Sequence, residues 1–404
     1  MIIPAHKKQG KRVLIVCGVD VMAWCIVRPF IEKLLALGFD VEIACKLGAH
    51  EQDLRSFGVP LHDIEVSRSL NPALHVRPIL QLRKLLRDER FDIVNAHGVL
   101  AAYLTRAAAL SGRACPILYY VHGFYFHEAM NPIARAAIVA VERLLGRVTG
   151  GFVFVSAEDA QTADRLRIKK PETPSAIAFN SVSPDLFRPA LPGEAGLLRA
   201  SLNIASDVPV VGIVGRIVRE KGYREFLDMA AELVSSGRDV RFLVVGDNLS
   251  TDRDQFGAQF KHDVEQRGLQ RQFVFAGFVP DVHRYLRMMD IFVLPSYREG
   301  FPKSVLEAMA TSLPVVATNI RGCREAITQG ETGFIVPPRE ARGLTNAVAS
   351  LLNDAHLRQR MGSAGLKRLN TVFSQQRNMN AFLDVFHRTC RPAGELRQPV
   401  EQTS

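Results

Sequence analysis

Short apolar runs rich in valine and isoleucine alternate along this chain with longer segments whose apolar residues recur every three or four positions. The first pattern indicates buried parallel strands, the second indicates amphipathic helices, and their alternation is typical of βαβ units. The strand-like runs are 12–17, 40–45, 91–95, 116–121, 152–156 and 176–180, followed by 209–214, 240–246, 273–276, 290–295, 314–318 and 333–336. The predicted fold class is therefore α/β.

The alternation breaks after Asn180, where a stretch with three prolines shows no periodicity. We predict two doubly wound, Rossmann-like domains facing across a cleft, at 1–182 and 205–373, joined by a linker at 183–204. A helical pattern at 374–390 covers the second domain or crosses back to the first, and 391–404 form a polar tail. Ligands of such sheets bind outside the carboxyl ends of the strands, so the groove between the domains is the expected site.

Composition narrows the function classes. Of the 404 residues, 47% are apolar, which is enough to fill two cores and argues against a disordered chain. The net charge of +10 suits an anionic lipid surface, a phosphorylated substrate or nucleic acid, or simply a solvated basic surface. No nucleic-acid-binding motif is present, so we expect no nucleic-acid partner.

The cysteines and apolar runs suggest a compartment. Six cysteines are scattered without paired spacing, which predicts reduced thiols and a cytoplasmic location. No run approaches the ~18 apolar residues of a membrane span. Any contact with a membrane is therefore expected at its surface.

A glycine turn with two cations opens the second predicted domain. Gly215 ends the strand 209–214, and Arg216 and Lys221 precede the helix that begins near Gly222. Glycine permits a tight turn, and a helix N-terminus carries partial positive charge, so this turn could hold a diphosphate. The alternative is a solvated basic loop, since the spacing matches neither a P-loop nor a dinucleotide fingerprint.

Two glutamates flank a Gly-Phe-Pro turn further on. Glu299 follows the strand 290–295, and Glu307 lies on a helix that Pro302 is placed to begin. The backbone N–H groups of Gly300, Phe301 and Lys303 could bind sugar hydroxyls or phosphate there. The alternative is a pair of exposed charges at a helix start.

In combination these motifs resemble the retaining glycosyltransferases of family four over nearly the whole chain. The resemblance implies the two-domain GT-B fold and transfer of a sugar from a nucleotide diphosphate donor with retention of configuration. It also implies that Glu299 contacts the donor sugar, that Glu307 binds the ribose, and that Arg216 and Lys221 neutralise the leaving diphosphate.

Further donor contacts follow from the same resemblance. Gly277, Phe278 and Val279 match the turn that binds the nucleobase. His122 matches the first-domain histidine placed against the donor sugar, and completes a catalytic set with Glu299, Arg216 and Lys221, while Gly300, Phe301 and Lys303 line the sugar. Gly18 matches the diphosphate loop, although the usual second glycine is absent and the family's hinge reads Asn180-Ser181-Val182-Ser183.

A metal cofactor is not expected. The Asp-x-Asp motif of metal-dependent glycosyltransferases occurs at Asp252-Arg253-Asp254, but in a polar loop before a helix, where acids serve as caps. The two cations of the glycine turn would then replace the metal.

The acceptor is predicted from two further segments. Residues 319–325 and 122–126 resemble bacterial members that extend polyprenyl-diphosphate-linked oligosaccharides, which implies a glycan or lipid-linked acceptor and a UDP-hexose or UDP-N-acetylhexosamine donor. A soluble small acceptor is the alternative. A helical pattern carries basic residues that could rest on anionic lipid at the inner face of the membrane, or could form an ordinary solvated face. These residues are Arg77, Arg83, Lys84, Arg87 and Arg90.

Two other functions remain open from the sequence. A sugar-nucleotide epimerase of similar architecture would convert the donor without an acceptor. A sugar-nucleotide-binding regulator without turnover would keep the binding residues alone.

Overall fold

A computed structural model describes residues 10–66, 71, 73–110, 115–127, 130–248 and 254–390. By their contacts the described residues form two units. The first contains the residues up to Ala178 together with those from Met379, and the second runs from Phe179 to Asn378. Each unit has its own parallel sheet with helical crossovers, which confirms the predicted α/β class of two Rossmann-like domains.

The sheet of the first unit has seven strands in the order β3-β2-β1-β4-β5-β6-β7, all parallel. The strands are β1 (Arg12–Val19), β2 (Asp40–Lys46), β3 (Leu61–Asp63), β4 (Ile93–His97), β5 (Ile117–Val121), β6 (Gly151–Phe154) and β7 (Ser175–Ile177). The order reverses between β1 and β4, so a crevice opens at the carboxyl ends of these two strands.

The helices of the first unit connect these strands. They are α1 (Asp20–Met22), a π-helical stretch (Ala23–Val27), α2 (Arg28–Ala36), α3 (Glu51–Arg55), α4 (Ala73–Asp88), α5 (Val99–Ala109), α6 (Pro132–Gly146) and α7 (Ala157–Arg165). Of the last helix, α16 (Gln375–Cys390), the part from Met379 belongs to this unit. Its Phe382 and Phe386 are fully buried, and Phe382 packs on Phe30 with ring centroids 4.8 Å apart.

The second unit repeats the design with six parallel strands in the order β10-β9-β8-β11-β12-β13. They are β8 (Val210–Val214), β9 (Arg241–Val245), β10 (Phe273–Gly277), β11 (Ile291–Leu294), β12 (Val315–Thr318) and β13 (Gly333–Val336). Here the order reverses between β8 and β11, which are the strands that lead into the glycine turn and into Glu299.

The helices of this unit are mostly amphipathic and pack on both faces of the sheet. They are α8 (Gly196–Ser201), α9 (Tyr223–Ser235), α10 (Phe256–Gln266), α11 (Val282–Leu286), α12 (Lys303–Ala310), α13 (Cys323–Ala326), α14 (Ala341–Asn353) and α15 (Ala355–Val372). A short 3-10 turn, Arg219–Lys221, precedes α9. Residues 183–204, predicted as a linker, have their contacts in this unit and contain α8.

The observed strands differ from the predicted ones in a few places. The sequence analysis missed β3, whose three residues include no apolar run, and β4 lies two residues later than the predicted 91–95. Strand β1 continues through Gly18, and β7 ends before Asn180. The central strands are apolar on both faces because helices cover both faces of the sheet. They therefore appear in the sequence as continuous apolar runs, which made them predictable.

Candidate active site

The glycine turn and the loop of Glu299 meet at the point where the strand order of the second unit reverses. Gly215 directly follows β8, and Glu299 lies five residues after the end of β11. The carboxyl ends of neighbouring parallel strands share one edge of the sheet. The structure therefore brings two motifs that are far apart in sequence to one place.

Lys221 and Glu299 form an ion pair there. The Nζ of Lys221 lies 2.5 Å from Oε1 of Glu299, and their side chains are only 19% and 13% exposed. The hydroxyl of the buried Ser296 donates to the same oxygen at 2.8 Å, and Thr318 holds the Ser296 carbonyl in turn. A largely desolvated, doubly hydrogen-bonded carboxylate is held in one position, as a sugar-contacting group requires.

Gly222 allows the cationic turn to approach the loop so closely. Its φ is +72°, and a Cβ at this position would lie 2.1 Å from the carbonyl oxygen of Pro295. The side chain of Lys221 runs past Gly215, because a Cβ built on Gly215 would be 3.7 Å from the Lys221 Cε. The absence of a side chain at Gly222 lets the turn that carries Lys221 lie against the end of β11.

Neighbouring bonds fix the same two loops to each other. The Arg298 guanidinium pairs with Glu220 at 2.6 Å, and the Tyr297 backbone N–H donates to the Glu220 carbonyl at 2.8 Å. The Tyr297 hydroxyl donates to the buried carboxylate of Glu225 at 2.7 Å. Sequence reasoning missed these residues, whose only signal was their position beside the two motifs.

Glu307 lies on α12, as the sequence analysis placed it. Its side chain is 12% exposed and lies 3.7 Å from the Nζ of Lys303, one turn earlier. Burial raises the pKa of Glu307, and the nearby lysine counteracts this in part. Val305, Leu306 and Met309 are fully buried, so α12 packs its apolar face on the core.

Aromatic rings pack together at the turn between Glu299 and Glu307. Phe301 is 4% exposed and packs on Phe179 and Phe373, with ring centroids 5.0 and 5.4 Å away. The Asn180 side chain donates to the Phe301 carbonyl at 2.7 Å. The ring of Phe301 is thus committed to packing, and any contact from Phe301 to a sugar would have to come from its backbone.

Gly300 is in close contact with the loop after β12. A Cβ on Gly322, whose φ is +78°, would lie 2.3 Å from the Gly300 carbonyl oxygen. This glycine at the start of α13 therefore sets how near the two loops lie.

The remaining donor contacts that were predicted in the second unit lie along the same sheet edge. Arg216 is exposed immediately after Gly215. Gly277 ends the outer strand β10 with a φ of +69°, and its carbonyl accepts from the Gly246 backbone at 2.8 Å. Phe278, 71% exposed, and Val279 follow it. A turn with an exposed ring is physically suited to cover a base.

The Asp-x-Asp motif falls partly outside the described residues, since Asp252 and Arg253 are not among them. Asp254 accepts a hydrogen bond from the Arg219 backbone at 2.6 Å and pairs with the Arg219 side chain. Within residues 10–66, 71, 73–110, 115–127, 130–248 and 254–390, no cluster of three or more His, Cys, Asp or Glu residues is arranged to hold a metal ion.

The first unit carries an imidazole pair at its own carboxyl edge. His122 follows β5, His97 ends β4, and their ring nitrogens Nε2 and Nδ1 are 3.1 Å apart. The Tyr120 ring stacks on both, with centroids 4.9 Å from His97 and 4.7 Å from His122. Burial lowers the pKa of His122 to about 4 and lowers that of His97 well below its ordinary value, so both are neutral at pH 7.

Two more groups lie on the strands that border the crevice of the first unit. Gly18 lies inside β1 rather than in a loop after it, and a Cβ there would meet open space. The buried Asn95 on β4 has no hydrogen-bond partner for its side-chain amide among the described residues. Sequence reasoning singled out Gly18 and missed Asn95, which looked like part of an apolar strand.

Comparison with known proteins identifies the class. Residues 26–185 match the sequence family "Glycosyltransferase Family 4", and residues 196–368 match "Glycosyl transferases group 1". The alpha-D-kanosaminyltransferase of Streptomyces kanamyceticus is 30% identical over 70% of this chain and 74% of its own length. The chain therefore belongs to the family 4 glycosyltransferases.

Two other relatives are bacterial enzymes of similar length. The putative glycosyltransferase EpsD of Bacillus subtilis is 26% identical over 93% of this chain and 96% of its own. A UDP-Gal:alpha-D-GlcNAc-diphosphoundecaprenol alpha-1,3-galactosyltransferase of Escherichia coli is 26% identical over 78% of this chain and 81% of its own length. This chain is thus a glycosyltransferase, and the resemblance stated from its motifs is confirmed.

Solved structures support the fold. A glycosyltransferase from Rickettsia africae has a TM-score of 0.78 at 20% identity and covers 95% of this chain and all of its own. Anabaena Alr3699/HepE, crystallised with UDP and glucose, has a TM-score of 0.78 at 19% identity and also covers 95% of this chain and all of its own. At this identity the likeness establishes the GT-B fold alone.

A search of the described helices for a membrane span found none that is both long and apolar enough.

Proposed function

We propose that this glycosyltransferase moves a sugar from a UDP-sugar to a lipid-linked glycan acceptor, with retention of configuration and without a metal ion. The observation that carries the proposal is the Lys221–Glu299 ion pair at the point where the strand order of the second unit reverses. This pair combines the cation that a departing diphosphate needs with the carboxylate that a developing positive sugar centre needs.

In the proposed reaction the bond between the sugar C1 and the diphosphate oxygen breaks, and a bond to the acceptor hydroxyl oxygen forms on the same face. The departing oxygen lies on that face and takes the acceptor proton. Lys221 and Arg216 stabilise the charge that develops on the diphosphate, a role that electrostatic donors fill most effectively in water-poor sites. Glu299 and the neutral His122 bind sugar hydroxyls, and Glu307 binds the ribose.

The nucleotide is held along the sheet edge of the second unit. The turn Gly277-Phe278-Val279 packs on the base, and the backbone N–H groups of Gly300, Phe301 and Lys303 contact the sugar. Gly18 supplies a place where backbone can approach the donor from the first unit.

The acceptor class follows from the relatives. The Escherichia coli enzyme named above acts on a diphosphoundecaprenol acceptor, as does an N-acetylgalactosaminyltransferase of Campylobacter jejuni that is 28% identical over 82% of this chain. We infer a polyprenyl-diphosphate-linked acceptor for this chain, and action at the cytoplasmic face of a membrane in polysaccharide assembly. The basic residues of α4 lie at its exposed face, where anionic lipid could contact them.

A direct test is to incubate the protein with UDP-hexoses and UDP-N-acetylhexosamines, with and without short-chain prenyl-diphosphate sugars, and to measure UDP release. We expect UDP release that depends on the acceptor, an α-linked product from an α-linked donor by NMR, and an unchanged rate in EDTA. Donor conversion without acceptor would indicate the epimerase, and binding without any turnover would indicate the regulator. A β-linked product would refute retention, and loss of rate in EDTA would refute metal independence.

A further inference from the structure

Helix α6 exposes a row of large apolar side chains. Ile133 is 82% exposed, and Val141 and Leu144 are 46% and 47% exposed. At 100° per residue these positions, together with the exposed Ala137 and Ala140, fall within an arc of about 100° of the helix circumference. One side of α6 is therefore an apolar strip of about three turns that no described residue of the first unit covers.

The opposite side of α6 is already occupied by the core. Val139 and Leu145 are buried, and Glu142 between them is completely buried against Arg106 of α5, with Nη1 to Oε2 2.9 Å apart. A helix that is apolar on both sides is expected to be buried on both sides. The exposed strip therefore calls for a further partner.

The charges on α6 indicate which partner. Glu142 is the helix's sole acid, and its ion pair with Arg106 removes it from the surface. The charged groups left at the surface are Arg143, the partly exposed Arg135, and Arg147 just after the helix. Apolar residues bordered by arginines match an anionic lipid surface, in which the strip enters the acyl region and the guanidinium groups contact headgroups.

A second copy of the chain is a poorer occupant. In a two-fold dimer through α6 the strip would face its own copy and bring Arg143 and Arg147 towards their equivalents. Like charges at the rim of an interface disfavour such pairing.

The rest of the first unit is compatible with a membrane on this side. Helix α4 packs on α5, and α5 packs on α6, so the three lie in one layer. Helix α4 also exposes apolar residues, with Leu74 and Leu80 50% and 55% exposed, beside Arg77 and Lys84. Helix α6 begins at the carboxyl edge of the sheet, ten residues after His122.

We propose that the exposed strip of α6, formed by Ile133, Val141 and Leu144 with Arg143 and Arg147, docks the first unit on an anionic membrane. This extends the proposed function and rests on it for one point only, that the acceptor is lipid-linked. Docking through α6 would place the carboxyl edge of the first sheet near the headgroup layer, where a polyprenyl-diphosphate sugar is presented.

The test is co-sedimentation of the full chain with vesicles of phosphatidylglycerol and phosphatidylcholine, and with phosphatidylcholine alone. The triple variant Ile133→Ser/Val141→Ser/Leu144→Ser should bind the mixed vesicles more than about tenfold more weakly. The pair Arg143→Gln/Arg147→Gln should lose about fivefold for each arginine on mixed vesicles and change little on phosphatidylcholine. A matched control is Leu191→Ser/Leu197→Ser, since these leucines of the second unit are 62% and 87% exposed.

Several outcomes would overturn the proposal. They are wild-type protein that does not sediment with either vesicle, a triple variant that binds like the wild type, and a concentration-dependent dimer that the triple variant abolishes. Turnover of a short-chain, water-soluble acceptor distinguishes a failure of the membrane-docking proposal from a failure of the proposed function. The triple variant should keep its kcat on that acceptor, whereas a wrong assignment of the reaction would leave the wild type inactive on it while vesicle binding is unaffected.

Discussion

The two units share one architecture and differ in what they present to their surroundings. Of the fifteen large hydrophobic side chains that are exposed among the described residues, eleven lie in the first unit. In the second unit the four are Phe278 of the proposed base-binding turn and three leucines between residues 186 and 197. The first unit thus exposes more large apolar side chains than the second.

The sites of the two units differ in the same way. The second has opposite charges paired across the reversal of strand order, Lys221 with Glu299. The first has two neutral imidazoles, His97 and His122, stacked on Tyr120. One fold thus carries a charged pair at this position in one unit and neutral imidazoles in the other, which illustrates that the properties of a site are determined by its residues and not by the fold.

The largest expected effect is on stability and concerns the buried ion pair of Arg106 and Glu142, which supports folding and not catalysis. Replacing Arg106 by methionine leaves Glu142 unpaired in the core of the first unit, where both side chains are 0% exposed, and should cost about 3–5 kcal/mol of unfolding free energy. Urea denaturation measures this. Arg87→Met, at an exposed ion pair, should cost less than about 0.5 kcal/mol, and adding Glu142→Met to Arg106→Met should restore most of the loss.

In the second unit, by contrast, Lys221→Ala should mainly reduce the catalytic rate. Removing a cation that stabilises the leaving diphosphate should raise the barrier by about 2.7–4 kcal/mol, which is a loss of about 10²–10³ in kcat. Steady-state UDP release measures it. Arg219→Ala is the control, because this exposed arginine belongs to the same turn but pairs with Asp254, and it should keep nearly full activity. Full activity in Lys221→Ala would remove the lysine from the mechanism.

A third change tests how tightly the charged site is assembled. Gly222→Ala introduces a Cβ 2.1 Å from the Pro295 carbonyl at a φ of +72°, and should cost about 3 kcal/mol and weaken UDP binding. Gly268→Ala, at a φ of +69° with open space around it, should cost about 1 kcal/mol and leave UDP binding unchanged. Calorimetric titration with UDP and denaturation of both variants give the comparison, and equal costs would show that the contact can relax.

The smallest effect concerns the neutral site of the first unit. The pKa of His122 is about 4 in the folded chain and about 6.5 when unfolded, so below pH 6.5 the unfolded chain takes up a proton that the folded chain refuses. Stability is therefore lost as the pH falls from about 6.5 to 4. His122→Asn should make Tm depend less on pH between pH 7 and 5. A slope equal to that of the wild type would mean that His122 takes up its proton as readily in the folded chain as in the unfolded chain.

The fold was largely predictable because both sheets are covered by helices on both faces. Their strands are continuous apolar runs between helical segments, and twelve of the thirteen observed strands fall on predicted runs with shifts of one or two residues at most at their starts. Strand β3 escaped because it is short and lies at an edge. The predicted run for β4 stopped at Asn95, whereas the strand continues to His97, which is polar in type although it is buried.

The site was predictable in its residue types and not in its pairing. The motifs singled out Lys221 and Glu299, but the sequence assigned one to the diphosphate and the other to the sugar, while in the structure they bind each other. Their contact depends on the reversal of strand order between β8 and β11, which no local pattern encodes. For the same reason the sequence did not predict the hydrogen bond between His97 and His122, which are 25 positions apart.

The preformed pair of Lys221 and Glu299 has a consequence for selectivity. An anion that draws the lysine away must leave a carboxylate that is only 13% exposed without its counter-charge, and inorganic phosphate adds negative charge beside that carboxylate without the hydroxyl groups of a sugar. A sugar nucleotide brings the anion and the hydroxyls in one molecule and can compensate both partners of the broken pair. Abundant free phosphate in the surroundings should therefore compete poorly, even though the turn carries the cations that phosphate ordinarily seeks.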